Sequence, residues 1–353
     1  NGIINLEVLN KNETGTMDCK VIDGGILKSK RHVNLPGIRV NLPAITKKDR
    51  ADILFSLEQQ VDFIALSFVR EAADVRELKE LMGDKLGKIK IIAKIEDQSG
   101  VQNLDEILEE VDGIMVARGD LAVEIGDAEL VAVQKHIIAR ARVLNRAVIT
   151  ATQMMESMIT NPMPTRAEVS DVANAVMDYT DAVMLSAETA VGDYPKEAVE
   201  AMVRICLGAE RHPSMHQSKH RIHESMERVD EAIALSAMYA ANHLQGVRAI
   251  ICMTETGATP RLMSRIKSSL PIFALSRHHS TQHRVVLFRG VQTIPFDSAR
   301  IANEQTNAEA VEQLRRRGVV GEGDLVVITK GDYVNAQGGT NTMKIVRVGS
   351  DIR

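Results

Sequence analysis

Lys94 and Glu96 stand two residues apart in the apolar run Ile89-Lys-Ile-Ile-Ala-Lys-Ile-Glu, and on an extended strand that spacing points both side chains to one face. A cation and a carboxylate therefore share one pocket. The next apolar run ends in Ala117-Arg-Gly-Asp. Neighbouring strands lie about 4.8 Å apart, so Glu96 and Asp120 together can hold one hard cation. Mg²⁺ suits that donor set, because it takes one or two carboxylates and keeps positions for substrate oxygens, leaving Lys94 to neutralise a further negative centre. A surface Lys–Glu pair is the alternative, and a run that is apolar on both faces speaks against it. Gly119 lets backbone N–H groups turn toward the strand ends at the start of a helix. That makes a cradle for a carboxylate or phosphate, or else a plain strand-to-helix turn. Thr150, Thr152 and Ser186 put hydroxyls at the ends of two further runs, where they can bind substrate or pass a proton through water; hydroxyls alone are a weak signal. Farther on, Thr254-Glu-Thr-Gly-Ala-Thr-Pro reads as a loop opening a helix, with Thr259 fit to cap it and Pro260 at the first helical position. Thr254, Thr256 and Gly257 there suit a phosphate, and a simple capped turn explains them equally well.

These residues need a frame that brings them together. From Thr46 to about Ala209 the chain repeats a short apolar run without alternation followed by a charged amphipathic helix, the mark of parallel strands buried on both faces. Five such runs are expected as strands: 63–68, 89–96, 113–120, 147–152 and 182–188. Each ends in polar or small residues, so the chemistry gathers at strand C-termini, where a β/α barrel keeps its active site. A closed barrel takes eight strands, and five would leave two apolar edges, so further strands are expected upstream of residue 1. The opening stretch, Ile3 to Val33, alternates in short runs broken by turn residues and reads as small antiparallel strands. Thr46 and Asp49 resemble a helix start. After a polar bridge from Arg211 to Glu227, a helix at 229–244 and apolar runs at 249–253, 272–275, 291–294, 325–328 and 343–348 read as a separate α/β domain.

Composition narrows the function classes. The 353 residues carry 43 basic and 47 acidic side chains, a net charge of −4, so no broad basic surface for nucleic acid is implied. Aromatics make up 3% with no Trp, which removes the stacking platforms of single-strand binders, while 44% hydrophobic content excludes disorder. No apolar run approaches the roughly 18 residues of a membrane span, and no signal pattern opens the chain. The three cysteines, Cys19, Cys206 and Cys252, form no paired motif, so a reducing cytoplasm fits. His212, His216, His220 and His223 have near-helical spacing that would serve Zn²⁺, but Pro213 and the polar setting favour a solvated linker. Thr165 and Glu168 form a capping box, with Arg166 and Asp171 left open.

The runs Ile89-Lys-Ile-Ile-Ala-Lys-Ile-Glu-Asp-Gln-Ser-Gly-Val, Met115-Val-Ala-Arg-Gly-Asp-Leu-Ala-Val-Glu, Ile149-Thr-Ala-Thr-Gln-Met-Met-Glu-Ser-Met and Asp181-Ala-Val-Met-Leu-Ser-Ala-Glu-Thr-Ala strongly resemble the pyruvate kinase family, in order, with the bacterial type II form nearest. The resemblance implies an α/β architecture. Residues 1–36 would be the remnant of an inserted small β domain, 37–215 strands 4 to 8 of a (β/α)8 TIM barrel, and 216–353 a C-terminal α/β domain for effector binding and oligomerisation. It implies phosphoryl transfer from phosphoenolpyruvate to ADP, giving pyruvate and ATP. Lys94 would stabilise the moving phosphoryl group, and Glu96 and Asp120 would hold Mg²⁺. Gly119 and Asp120 would receive the substrate carboxylate, Thr152 would contact substrate, and Ser186 would belong to the proton path. The K⁺ ligands, a phosphate-contacting arginine and part of the nucleotide site would lie upstream, so a molecule that really begins at Asn1 is expected to have an incomplete barrel and little turnover. Asp97 stands where the family usually has Asn, a departure of small expected effect. Thr254, Thr256, Gly257 and Thr259 would hold the phosphate of a sugar monophosphate or AMP, in a homotetramer. Two rivals remain. One is a metal-dependent aldolase, against which Lys94 beside Glu96 argues. The other is a non-catalytic effector-binding protein or inactive fragment, which would lack Mg²⁺-dependent phosphoenolpyruvate binding.

Overall fold

The computed structural model describes residues 4–27, 29, 33–38, 43–216, 218, 220, 225–331 and 339–352. The alternating opening sequence forms a hairpin in which β1 (Asn5–Lys11) pairs antiparallel with β2 (Met17–Asp23). Every residue of both strands is exposed, so the hairpin adds nothing to a core. The helix Lys47–Glu58 follows, and its start is the expected one: Thr46 and Asp49 close a reciprocal capping box.

Five parallel strands come next: β3 (Phe63–Leu66), β4 (Lys90–Ile95), β5 (Gly113–Ala117), β6 (Ala147–Ala151) and β7 (Ala182–Met184), hydrogen-bonded in chain order. All of β5 is buried, as a run apolar on both faces requires. Ile91, Ile114 and Val148 of the sheet pack with Leu78, Ile107 and Ile137 from the covering helices. The strands stop earlier than their apolar runs predict. Gly113 to Asp120 divides into β5 and the helix Arg118–Ile125, and β7 ends before Ser186. The reason is geometric: the polar residues at the rim sit where the chain leaves the ladder to begin its crossover, so they belong to first turns and loops.

The C-terminal part holds β8 (Val247–Met253), β9 (Ile272–Ser276), β10 (Val291–Pro295), β11 (Leu325–Gly331) and β12 (Thr340–Arg347). Their order is β10-β9-β8-β11-β12, parallel except for β12, which runs antiparallel to β11. Each face has its own core, one with Met238 and Ala241 of the helix Val229–His243, the other with Ala310 and Leu314 of Asn303–Arg316.

The two α/β parts meet where β7 begins. Asp181 accepts the Val148 N–H at 2.9 Å, the Arg289 N–H at 2.9 Å and Arg265 Nη1 at 2.8 Å, and it also pairs with Arg265 Nη2. Both partners are buried, with side chains 1% and 2% exposed. Beside them the Tyr179 ring lies between the guanidiniums of Arg142 and Arg289, 4.5 and 4.6 Å from its centroid. Its hydroxyl donates to the Ile266 carbonyl at 2.9 Å, and burial pushes the phenol pKa up. Because Asp181 precedes β7, this junction lies at the opposite end of the sheet from the polar rim. Among the described residues, no helix is long and apolar enough to cross a membrane.

Candidate active site

Strand register carries the separate motifs to one rim. Ile95 pairs with Val116, Ala117 with Ala151, and Ala151 with Met184, so Glu96, Arg118 to Asp120, Thr152 and Ser186 all leave the sheet at its C-terminal edge.

Lys94 Nζ lies 2.8 Å from Glu96 Oε1 and donates to Ser67 Oγ at 3.0 Å. The Glu96 side chain is 3% exposed, so this is not a solvated surface pair. Its other oxygen accepts the Phe68 N–H at 2.7 Å. Phe68 holds that N–H in place at φ +50, a backbone conformation that a bulky side chain adopts only under constraint. The carboxylate is thus fixed by one ammonium and one amide, both charge-assisted contacts.

Asp120 lies in the first turn of Arg118–Ile125, and its Oδ1 takes a long contact, 3.4 Å, from Asn34 Nδ2. Negative charge accumulates here. Burial first, then the charges of Asp97 and Asp120, raise the pKa of the Glu124 carboxyl one turn on. Asp97 itself caps the helix Gln98–Gln102 by accepting the Gly100 N–H at 2.8 Å, a bond that Asn would also make. Among the described residues no three His, Cys, Asp or Glu converge on one point. The carboxylates at this rim, Glu96 and Asp120, are hard oxygen donors, a type that suits Mg²⁺ completed by substrate and water.

The Gly119 N–H donates to Thr152 Oγ1 at 2.7 Å, and that hydroxyl donates to the Ala151 carbonyl at 2.6 Å. The amide and the hydroxyl read separately from the sequence form a single unit. Thr152 and Gln153 both have left-handed backbones, at φ +67 and +52. Ser186 donates its N–H to Glu188 Oε2 at 2.7 Å, and Glu188 Oε1 accepts the Met155 N–H at 3.1 Å. Buried Glu188 therefore staples the end of β7 to the loop after β6, a task its place in the sequence does not reveal. The Ser186 hydroxyl oxygen is buried with no hydrogen-bond partner among the described residues.

In the C-terminal part, Thr254 Oγ1 accepts the Gly257 N–H at 2.9 Å. Gly257 sits at φ +83, and a Cβ there would lie 2.4 Å from Val285 Cγ1, so only glycine fits. The expected cap is corrected: the helix begins at Ala258, and Thr259 is buried inside its first turn, sharing a 2.7 Å hydrogen bond with Thr340 Oγ1. Thr254, Thr256, Arg277, Lys330 and Thr340 line a cleft of about 260 Å³. His212 bonds locally to Ser214 and His216 to the Glu210 carbonyl, while His223 lies outside the described residues.

A parallel α/β sheet with an ammonium and carboxylates at its C-terminal rim is the arrangement of an α/β enzyme built around placed charge. Residues 1–199 match the pyruvate kinase barrel domain and residues 231–346 the pyruvate kinase alpha/beta domain. The chain is 54% identical over 332 residues to pyruvate kinase II of Salmonella typhimurium, a match covering 93% of this chain and 69% of that one. To the pyruvate kinase of Buchnera aphidicola it is 51% identical over 350 residues, 98% of this chain and 72% of the relative. To that of Candida albicans it is 40% identical over 354 residues, 98% and 70%. The chain belongs to the pyruvate kinase family. Its chemistry is phosphoryl transfer, which sets aside the metal-dependent aldolase.

Proposed function

We propose that this rim moves the phosphoryl group of phosphoenolpyruvate to the terminal phosphate oxygen of ADP, leaving the enolate of pyruvate, which takes up one proton at carbon. The observation that carries the reading is the Lys94–Glu96 pair: a buried carboxylate held by the Phe68 N–H and an ammonium that remains 24% exposed at the rim. In a loose transfer transition state, charge spreads over the three equatorial oxygens of the phosphoryl group. A preplaced ammonium stabilises it more than the ground state. Glu96 and Asp120 would hold Mg²⁺, which when bound adds positive charge at the phosphoryl oxygens. Asp120 offers its backbone N–H to the substrate carboxylate, and the Gly119 N–H acts through Thr152, whose Oγ1 it holds while the hydroxyl proton turns from the Ala151 carbonyl to the same group. Ser186, a buried hydroxyl without a partner among the described residues, passes the enolate proton through water. K⁺ enters through the family, and no residue of this chain is assigned to it. The test is calorimetry of phosphoenolpyruvate binding with and without Mg²⁺. Glu96→Gln should weaken the Mg²⁺-dependent binding by about 100-fold or more, and an unchanged isotherm contradicts the metal assignment.

The C-terminal cleft supports a second role, regulation by a sugar monophosphate or AMP. Thr254, Thr256 and Gly257 would hold the phosphate, with Thr259 fixing Thr340 on the wall of the same cleft. Titrating ribose 5-phosphate should activate the wild type and not Thr256→Ala; identical activation curves remove the loop from this role. The family also suggests a homotetramer, measurable as mass in solution.

A further inference from the structure

Arg118 is a charged residue of the rim without a task so far. It is only 5% exposed. Its Nε donates to the Thr152 carbonyl at 3.2 Å, and Nη2 donates to the same carbonyl at 2.9 Å and to that of Gln153 at 3.3 Å. Nη1 donates to Asp171 Oδ1 at 2.8 Å and Gln134 Oε1 at 3.4 Å. The two carbonyls belong to the consecutive left-handed residues Thr152 and Gln153. For a β-branched residue such as Thr152 that conformation is an outlier, and it persists only where surrounding contacts impose it.

We propose that Arg118, neutralised by Asp171, is a positioning residue for the substrate carboxylate. It clamps Thr152 and Gln153 in the left-handed conformation that aims Thr152 Oγ1 at the Gly119 N–H, 2.7 Å away. The inference rests on the proposed contact of Thr152 with substrate. A planar guanidinium is suited to the task, because its fork places donors on two carbonyls and a carboxylate at once. A lysine ammonium offers no such fixed geometry. Asp171 prevents Arg118 from being an uncompensated buried charge. It projects from the helix Arg166–Met177, whose start is tied to the same loop: Glu168 accepts the Ser157 N–H at 2.7 Å and the Ser157 hydroxyl at 2.5 Å. The loop that carries Thr152 is therefore anchored by two side chains of one helix, directly at Ser157 and through Arg118 at Thr152.

Kinetics on the full chain with Mg²⁺ tests this. Arg118→Lys should lower kcat/KM for phosphoenolpyruvate on the order of 100-fold, the cost of a misplaced binding group, and leave KM for ADP unchanged. Gln153→Gly in that background supplies the left-handed backbone without strain and should recover part of the loss. Asp171→Asn should shift the phosphoenolpyruvate kinetics in the same direction, and it carries the test if Arg118→Lys does not fold. Unchanged phosphoenolpyruvate kinetics in the folded variants overturns the clamp. So does an equal loss toward both substrates with no recovery by Gln153→Gly. Thr152→Ala separates the two levels. A raised KM for phosphoenolpyruvate there, with Arg118→Lys silent, removes only the clamp, whereas an unchanged KM removes the substrate contact beneath it.

Discussion

Replacing Lys94 by methionine should slow pyruvate formation by about 10³-fold or more, read in a lactate dehydrogenase-coupled assay. Methionine keeps the apolar stem and deletes the charge, so packing against the strand survives while the ammonium at the rim is lost. In water a single charge at contact distance is worth about 1 kcal/mol, but in a partly dry site its worth rises several-fold. The effect falls on the transition state, where the transferring group carries its charge most exposed. Near-normal turnover would remove Lys94 from the chemistry.

The second large effect is on stability. Asp181→Asn should cost about 3–5 kcal/mol, because it leaves the Arg265 guanidinium buried without its counter-charge. The substitution preserves shape, but its single amide oxygen can accept only one of the Val148 and Arg289 N–H groups, which Asp181 takes on separate oxygens, so the loss reports the charge together with one displaced backbone bond. Arg265 reaches Asp181 from 84 residues away in the chain, and the pair holds the C-terminal sheet against the foot of β7. The other end of that strand leads to Ser186. Urea or thermal unfolding of the variant measures the loss, and a change under about 1 kcal/mol would mean that the junction tolerates an unpaired guanidinium.

What could be read from the sequence follows from period and polarity. Lys94 and Glu96 were legible because alternate residues of a strand share a face, and the rim was legible because each apolar run ends in polar residues. The state of Gly119 was not. Its N–H lies on Thr152 because two residues adopt left-handed backbones under an arginine 34 positions away, and no local pattern announces that. Thr259 misled for a related reason: Gly257 at positive φ precedes the helix and turns the threonine inward, toward Thr340. The domain junction did leave a trace. Asp62, Asp112 and Asp181 each stand just before a strand. Asp112 accepts the Ile91 N–H at 3.0 Å as Asp181 accepts that of Val148, while Asp62 meets His283 of the C-terminal part at 3.2 Å. Such a repeat marks strand starts, but which of them receives an arginine is decided by tertiary packing.

The central claim is that Lys94 acts on the phosphoryl group in flight rather than on the bound substrate. Glu96 in a Lys94→Met enzyme would keep the Phe68 N–H, and a divalent ion between it and Asp120 would replace the missing positive charge. Calorimetric titration of phosphoenolpyruvate into that variant, with Mg²⁺ present, measures the point directly. The account predicts an affinity within about tenfold of wild type beside the lost turnover; an affinity that falls as far as the rate would contradict it.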